Sequence, residues 1–227
     1  MTDAQGSVAK VSVHQRAIQA MGLGTEFVPV QADLGESDVI REVASCDILI
    51  GCVDSAEGRH FLNKIAATYC IPYFDVGVKL IADGQGSVST VVGTVHYLQP
   101  DGSSLFSRNV YNMDRVKAEL LAKTDPVLYQ KLKAEKYIQG VQEDRPAVVS
   151  VNTLFSSLAM LEILARLHPY RNQPNQHFGT YCINLVEGDV FTQPETYERC
   201  RTISKYLGRG DMEPMLGVVG IAVAMEM

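Results

Sequence analysis

The 227 residues predict an α/β fold: a mainly parallel sheet that continues into an antiparallel meander, with helices on both faces. Three observations carry this reading. The run Ile48 to Val53 is continuously apolar, as a strand covered on both faces would be, and a segment of helical period follows at once. Pro72 then opens a second apolar run, Tyr73 to Val78, so that Ser45 to Lys79 reads as strand, acidic turn, helix and strand, a βαβ unit. Beyond the turn sequence Asp83-Gly84-Gln85-Gly86, Ser87 to Val92 and Thr94 to Leu98 alternate like paired antiparallel strands.

The elements follow in order. Residues 1 to 6 are a polar lead-in, after which Val8, Val11, His14, Gln15, Ile18 and Met21 keep a helical period until the stop glycines Gly22 and Gly24. Lys10 stands near the start of that helix. Phe27 to Val30 is a short strand candidate, and Ser37 is placed to cap a short helix through Ala44. After the first central strand a helix starts under Asp54 or Ser55, with Glu57 as a capping-box partner, and carries Phe61, Leu62, Ile65, Ala66 and Tyr69 inward. Gln99 to Ser104 is a polar loop, and residues 112 to 139 are helical with a break at Asp125-Pro126. The helix Val148 to Leu167 is apolar nearly all round, which marks a buried or interface helix. Phe178 to Val186 and Asp189 to Thr192 return to strand, and Pro194 to Leu207 is a last helix ending at Gly208. The whole is one domain over 1–227, with a βαβ part at 1–80, a meander at 81–110, a helical region at 111–170 and C-terminal strands and helix at 171–227.

At 46% hydrophobic and 20% charged, the composition is that of an ordinary globular chain. A net charge of -6 without a basic run argues against a nucleic-acid surface, because phosphate neutralisation needs clustered Lys and Arg. The five cysteines form no CxxC pair and read as reduced cytoplasmic thiols. The N-terminus shows no signal peptide pattern, and Leu216 to Met225 is about half the length that crosses a bilayer. A cytoplasmic protein without a membrane segment is expected.

Asp54 lies where the first central strand gives out, and open α/β sheets bind ligands at the carboxyl ends of their strands. Asp75 lies near the same edge. A plain helix cap is the bland alternative for Asp54, a solvated lysine for Lys10, and a brace under the strand end for Arg59 and Asn63. The five histidines have no metal-ligand spacing, and Gly84 and Gly86 do not lead from a strand into a helix, so they are turn glycines.

Gly6 with Lys10 at a helix start, CDILIGCVDSAEGR (Cys46 to Arg59), Leu62-Asn63 and IPYFDVGV (Ile71 to Val78) together resemble the ThiF/HesA/MoeB family of adenylyltransferases, which includes the ubiquitin-activating enzymes. The similarity continues through Gly84 to Pro100, RPAVVSVN (Arg145 to Asn152) and LGRGDMEPMLG (Leu207 to Gly217). It implies a Rossmann-like fold and ATP-dependent adenylation of the C-terminal glycine carboxylate of a ubiquitin-like or sulfur-carrier protein. By the same resemblance, Asp54 helps hold magnesium on the ATP phosphates, Lys10 contacts those phosphates, and Arg59 and Asn63 belong to the nucleotide site.

Several departures bear on these expectations. The family's first strand with its GxGxxG loop, its ribose-gripping acid and its phosphate-binding Asn and Arg should precede Gly6, so the N-terminal nucleotide-binding strands are expected to be missing and ATP binding to be weak. Ser104-Leu105-Phe106-Ser107 and Cys200-Arg201-Thr202-Ile203 stand where the family has its zinc thiol pairs, so no zinc is expected. In the family's order two strands separate that matching Phe27 to Val30 from that matching Ile48 to Val53. Their loss would open the sheet, and a homodimer through the Val148 to Leu167 helix and the exposed edge, or a repacked monomer, is expected to cover it. The alternative to an enzyme is a non-catalytic homologue serving as a dimerisation or partner-binding module.

Overall fold

A computed structural model describes residues 6–82, 88–137, 148–195 and 198–210. Its five strands form one sheet in the order β1 (Leu49–Gly51), β2 (Tyr73–Ala82), β3 (Val88–Leu98), β4 (Thr180–Asn184) and β5 (Asp189–Gln193). The helices among the described residues are α1 (Lys10–Met21), α2 (Ser37–Ala44), α3 (Ala56–Thr68), α4 (Met113–Thr124), α5 (Pro126–Ala134) and α6 (Val149–Leu167). The turn glycines Gly84 and Gly86, Pro146 and the apolar Leu216 to Met225 run lie outside the described residues.

The βαβ unit is present. Strand β1 runs parallel to β2, with Leu49 opposite Tyr73 and Gly51 opposite Asp75. Helix α3 begins because Ser55, extended at φ -87°, accepts the Gly58 N–H on Oγ at 3.0 Å. It ends at Cys70, which takes a left-handed φ of 57° while Ile71 N–H bonds Ala66 O and Cys70 N–H bonds Ala67 O. That is a Schellman ending with a cysteine where glycine is usual.

Alternation along β2 divides the molecule into layers. Tyr73, with Leu98 opposite it on β3, faces α3 and joins a core of Leu49, Phe61, Leu62, Ile65, Leu105 and Val116. Val76, paired with Val95, faces the other way onto Phe155 and Ala159 of α6. Helices therefore cover both faces.

The sheet is mixed, and its parallel part is reduced to one pairing among the described residues, the other three being antiparallel. Phe27 to Val30 is irregular chain, with Val28 69% exposed; among the described residues no strand pairs with it, and Pro29 has no N–H to offer. Consequently β1 is a three-residue edge strand with Ile50 47% exposed, and the Ile48 to Val53 run is not covered on both faces. Helix α1 closes at Gly22 in the left-handed region but buries none of its residues.

Two further differences have packing causes. The two stretches are not a pair: Val88 to Leu98 is one strand, lying between β2, extended to Ala82, and β4. Gly93 is inside that strand because the Phe155 ring occupies the space where its Cβ would be. Pro194 to Leu207 is not a helix among the described residues and holds only a 3-10 turn at Ser204–Tyr206. Its backbone is tied to neighbouring loops instead, Glu195 N–H to Gln176 O and Cys200 N–H to Gly102 O, while Cys200 and Ile203 pack on Ala67.

The Gly93–Phe155 contact gives a direct test. Gly93→Ala should cost about 1–3 kcal/mol by overpacking and Phe155→Ala about 3–5 kcal/mol by leaving a cavity. Because the two residues touch, the double variant should lose less than the sum, as measured by urea denaturation.

Candidate functional site

The register places Gly51, Asp75, His96 and Thr180 in one row across β1 to β4, on the face that α3 covers. Asp75 is fully buried. Its Oδ1 accepts from Tyr73 OH at 2.9 Å and from Arg59 Nε at 3.2 Å, whereas Oδ2 is the one buried side-chain nitrogen or oxygen without a hydrogen-bond partner among the described residues. Arg59 reaches this row from α3 and passes over Gly77, where a Cβ would stand 2.8 Å from Nη2.

The row continues as a polar seam. His96 Nδ1 lies 3.1 Å from Thr180 Oγ1 and 3.4 Å from Arg108 Nη1, while Arg108 donates to Ser103 Oγ, Gly179 O and Tyr97 O. Burial first, then the Arg108 and Arg59 charges, push the His96 imidazole down to about 3, so it is neutral at physiological pH. Burial also raises the Asp75 carboxyl, against the pull of Arg59, and raises the Cys52 thiol, which the Asp75 charge disfavours further.

Of the residues expected in the site, Asp54 and Arg59 come to this end of the sheet. Asp54 is exposed at the exit of β1, and the helix cap is Ser55, so the bland role for Asp54 is already filled by its neighbour. Glu57 makes no capping box; it is buried and meets Lys123 of α4 at 2.8 Å. Asn63 donates to Tyr111 OH at 3.3 Å, which also bonds His60 Nδ1, so it braces α3 against the loop before α4. Lys10 begins α1, exposed, on a helix that buries nothing, and the structure does not bring it to Asp54. Asp75, Tyr73, His96 and Thr180 are the residues that sequence reasoning did not assign. The available signal was parity, since Tyr73, Asp75 and Gly77 share one face of a strand that sequence alone marks as buried.

Magnesium usually keeps waters and substrate phosphates and takes one or two protein carboxylates. Asp54 fits that share; no group of three or more His, Cys, Asp or Glu that could hold a metal occurs among the described residues. The residues at the two expected thiol positions do not fit zinc. Ser104 N–H bonds Ser107 Oγ at 2.9 Å and Ser107 N–H bonds Ser104 Oγ at 3.2 Å, closing the turn on itself, while Cys200 packs with Ile203 and Ala67.

The raised Asp75 carboxyl fixes the sign of a pH effect. The folded state holds this proton more tightly than the unfolded chain, so the stability it contributes is present in acid and is lost as pH rises from the ordinary value of 3.8 through the folded one. Thermal melts should show wild-type stability falling relative to Asp75→Asn across that rise. A difference between the two that does not change with pH would mean that folding does not raise the Asp75 carboxyl.

The profile of the ThiF family matches residues 2–227. By structure, the chain is similar to E. coli MccB with ATP, at 12% identity and a TM-score of 0.54, covering 84% of this chain and 49% of that one. It is also similar to the microcin C7 biosynthetic enzyme MccB in complex with N-formylated MccA, at 13% identity and a TM-score of 0.58, covering 87% of this chain and 52% of that one. Identity this low shows a shared fold, and the chain spans about half the length of these structures. No curated protein matches the sequence. On the match across residues 2–227, the chain belongs to the ThiF family.

Proposed function

We propose that the chain carries the phosphate-and-magnesium end of an ATP-dependent adenylyltransferase that activates the C-terminal glycine carboxylate of a ubiquitin-like or sulfur-carrier protein. The observation that carries it is Asp54 at the carboxyl end of the β1–β2 pair, with its capping role taken by Ser55 and Arg59 reaching the same strand ends. In such a reaction a carboxylate oxygen attacks the α-phosphorus and pyrophosphate leaves, so negative charge builds on phosphoryl oxygens. Magnesium, when bound, supplies compensating charge; Asp54 helps to hold it and Arg59 orients a phosphoryl oxygen. Lys10 joins them only if α1 docks against the open β1 edge. The MccB structures support the reading at the level of the fold, since one is described with ATP and another with the peptide MccA.

A second reading has its own observation. The outer side of α6 exposes Leu154, Met160, Leu161, Leu164 and Leu167, each at least 40%. Four of the five, Met160, Leu161, Leu164 and Leu167, lie in its C-terminal half, whereas the N-terminal half sets Leu154 among the small Ser150, Ser156 and Ser157. Two antiparallel copies would match bulk to space, which suits a homodimer built from a non-catalytic module.

Calorimetric titration separates the two. On the adenylyltransferase reading Mg-ATP binds, and Asp54→Asn weakens it about tenfold or more without lowering the melting temperature. No heat with Mg-ATP would leave the module reading. For the dimer, light scattering should give twice 24.9 kDa, reduced to 24.9 kDa by Leu161→Glu; a wild-type mass of 24.9 kDa at every concentration would remove it.

A further inference from the structure

Arg59 meets its carboxylate through one bond only. Arginine–carboxylate pairs frequently meet fork to fork, with two parallel N–H···O bonds that use both carboxylate oxygens. Here the pairing is single. Among the described residues the only hydrogen-bond acceptor of Arg59 is Asp75 Oδ1, reached by Nε at 3.2 Å, and Asp75 Oδ2 takes nothing. Tyr73 OH holds the same Oδ1 from the other side at 2.9 Å, so the carboxylate is anchored twice on one oxygen. The Nη1–Nη2 edge of the guanidinium is left over.

That edge has somewhere to face. The Arg59 side chain is 17% exposed while that of Asp75 is fully buried, so the carboxylate is in the core and part of the arginine meets solvent. Gly77 leaves the room through which Nη2 passes, with Thr94 Oγ1 bordering the same space. Asp75 stands opposite Gly51, the last residue of β1, and the carboxyl end of a parallel pair is where open α/β sheets bind their ligands.

We propose that Asp75, steadied by Tyr73, is a positioning residue that holds Arg59 by Nε and so keeps the Nη edge presented to an oxyanion. On the adenylyltransferase reading, on which the choice of a phosphoryl group rests, that oxyanion belongs to the nucleotide. A guanidinium held by one edge loses little further freedom when its other edge binds, and this is the benefit the seat confers.

Two measurements on the full chain test this, with inorganic pyrophosphate as the probe. In proton–nitrogen spectra the Arg59 Nε–H, identified by its loss in Arg59→Lys, should exchange slowly with water and lose that protection in Asp75→Asn and in Tyr73→Phe. Pyrophosphate affinity should fall about tenfold in Arg59→Lys and in Asp75→Asn alike, with no further fall when the two are combined. Gly77→Ala leaves Asp75 in place and pushes Nη2 aside, so it should give the same loss and keeps the test decisive should Asp75→Asn not fold. An Nε–H unaffected by Asp75→Asn, an Asp75→Asn affinity equal to wild type, or no pyrophosphate binding by the wild type would each overturn the positioning role. Asp75-dependent pyrophosphate binding without Mg-ATP binding would instead sink the nucleotide reading and leave the positioning role standing.

Discussion

Strand β2 has to satisfy two helices at once, and most of the structure follows from how it does so. With a side-chain period of two, Tyr73, Asp75 and Gly77 go under α3 while Phe74 and Val76 go under α6. Both faces are dry, so any polar group placed there must bring its partners. Asp75 brings Tyr73 and Arg59, and the strands beside it continue the requirement with His96 and Thr180. The polar seam therefore holds two sets of partners side by side, one around Asp75 and one around His96, Thr180 and Arg108.

The fold was legible where local pattern and final neighbourhood agree. Helix α3 was readable because its inward residues and its start at Asp54 or Ser55 are local, and the Asp125-Pro126 break between α4 and α5 for the same reason, with Asp125 accepting the Leu128 N–H. Where the neighbourhood decides, sequence reading failed. The apolar run Ile48 to Val53 carries no information about whether a strand lies on its far side, and here β1 is the sheet edge. Gly93 looked like a boundary between two strands because glycine commonly marks turns, but its reason is a ring 62 positions along the chain, Phe155 less Gly93. Long-range packing of this kind leaves no local signature.

The site divides in the same way. Asp54, Lys10, Arg59 and Asn63 all entered by resemblance, and the structure places them differently: Asp54 follows β1 with Ser55, one residue on, making the cap bond, and Arg59 reaches Asp75. Asn63 bonds Tyr111, and α1 buries none of the residues beside Lys10. Asp75 was visible as a residue near the same edge but not as a partner of Arg59, because the pair is set by how a helix lies over a strand 16 residues away.

Helix α6 shows why an apolar stripe can stay exposed. By length and hydropathy alone it would suit a membrane crossing, yet it carries Glu162 and Arg166 on its packed side. Glu162 is 2% exposed and pairs with both Arg166 and Arg171; Arg166 also donates to Phe178 O at 2.9 Å and Glu195 Oε1 at 2.8 Å, and its guanidinium lies 3.9 Å over the Tyr97 ring. Rotating α6 to bury its leucines would strip partners from buried charges, at a cost of about 3–5 kcal/mol for one broken pair. A surface leucine gains at most about 1.5–3 kcal/mol from full burial, and such a rotation would expose Phe155 and Ile163 in exchange. The charges therefore fix the helix about its own axis, and the exposed stripe follows from the ionic lock on the other side.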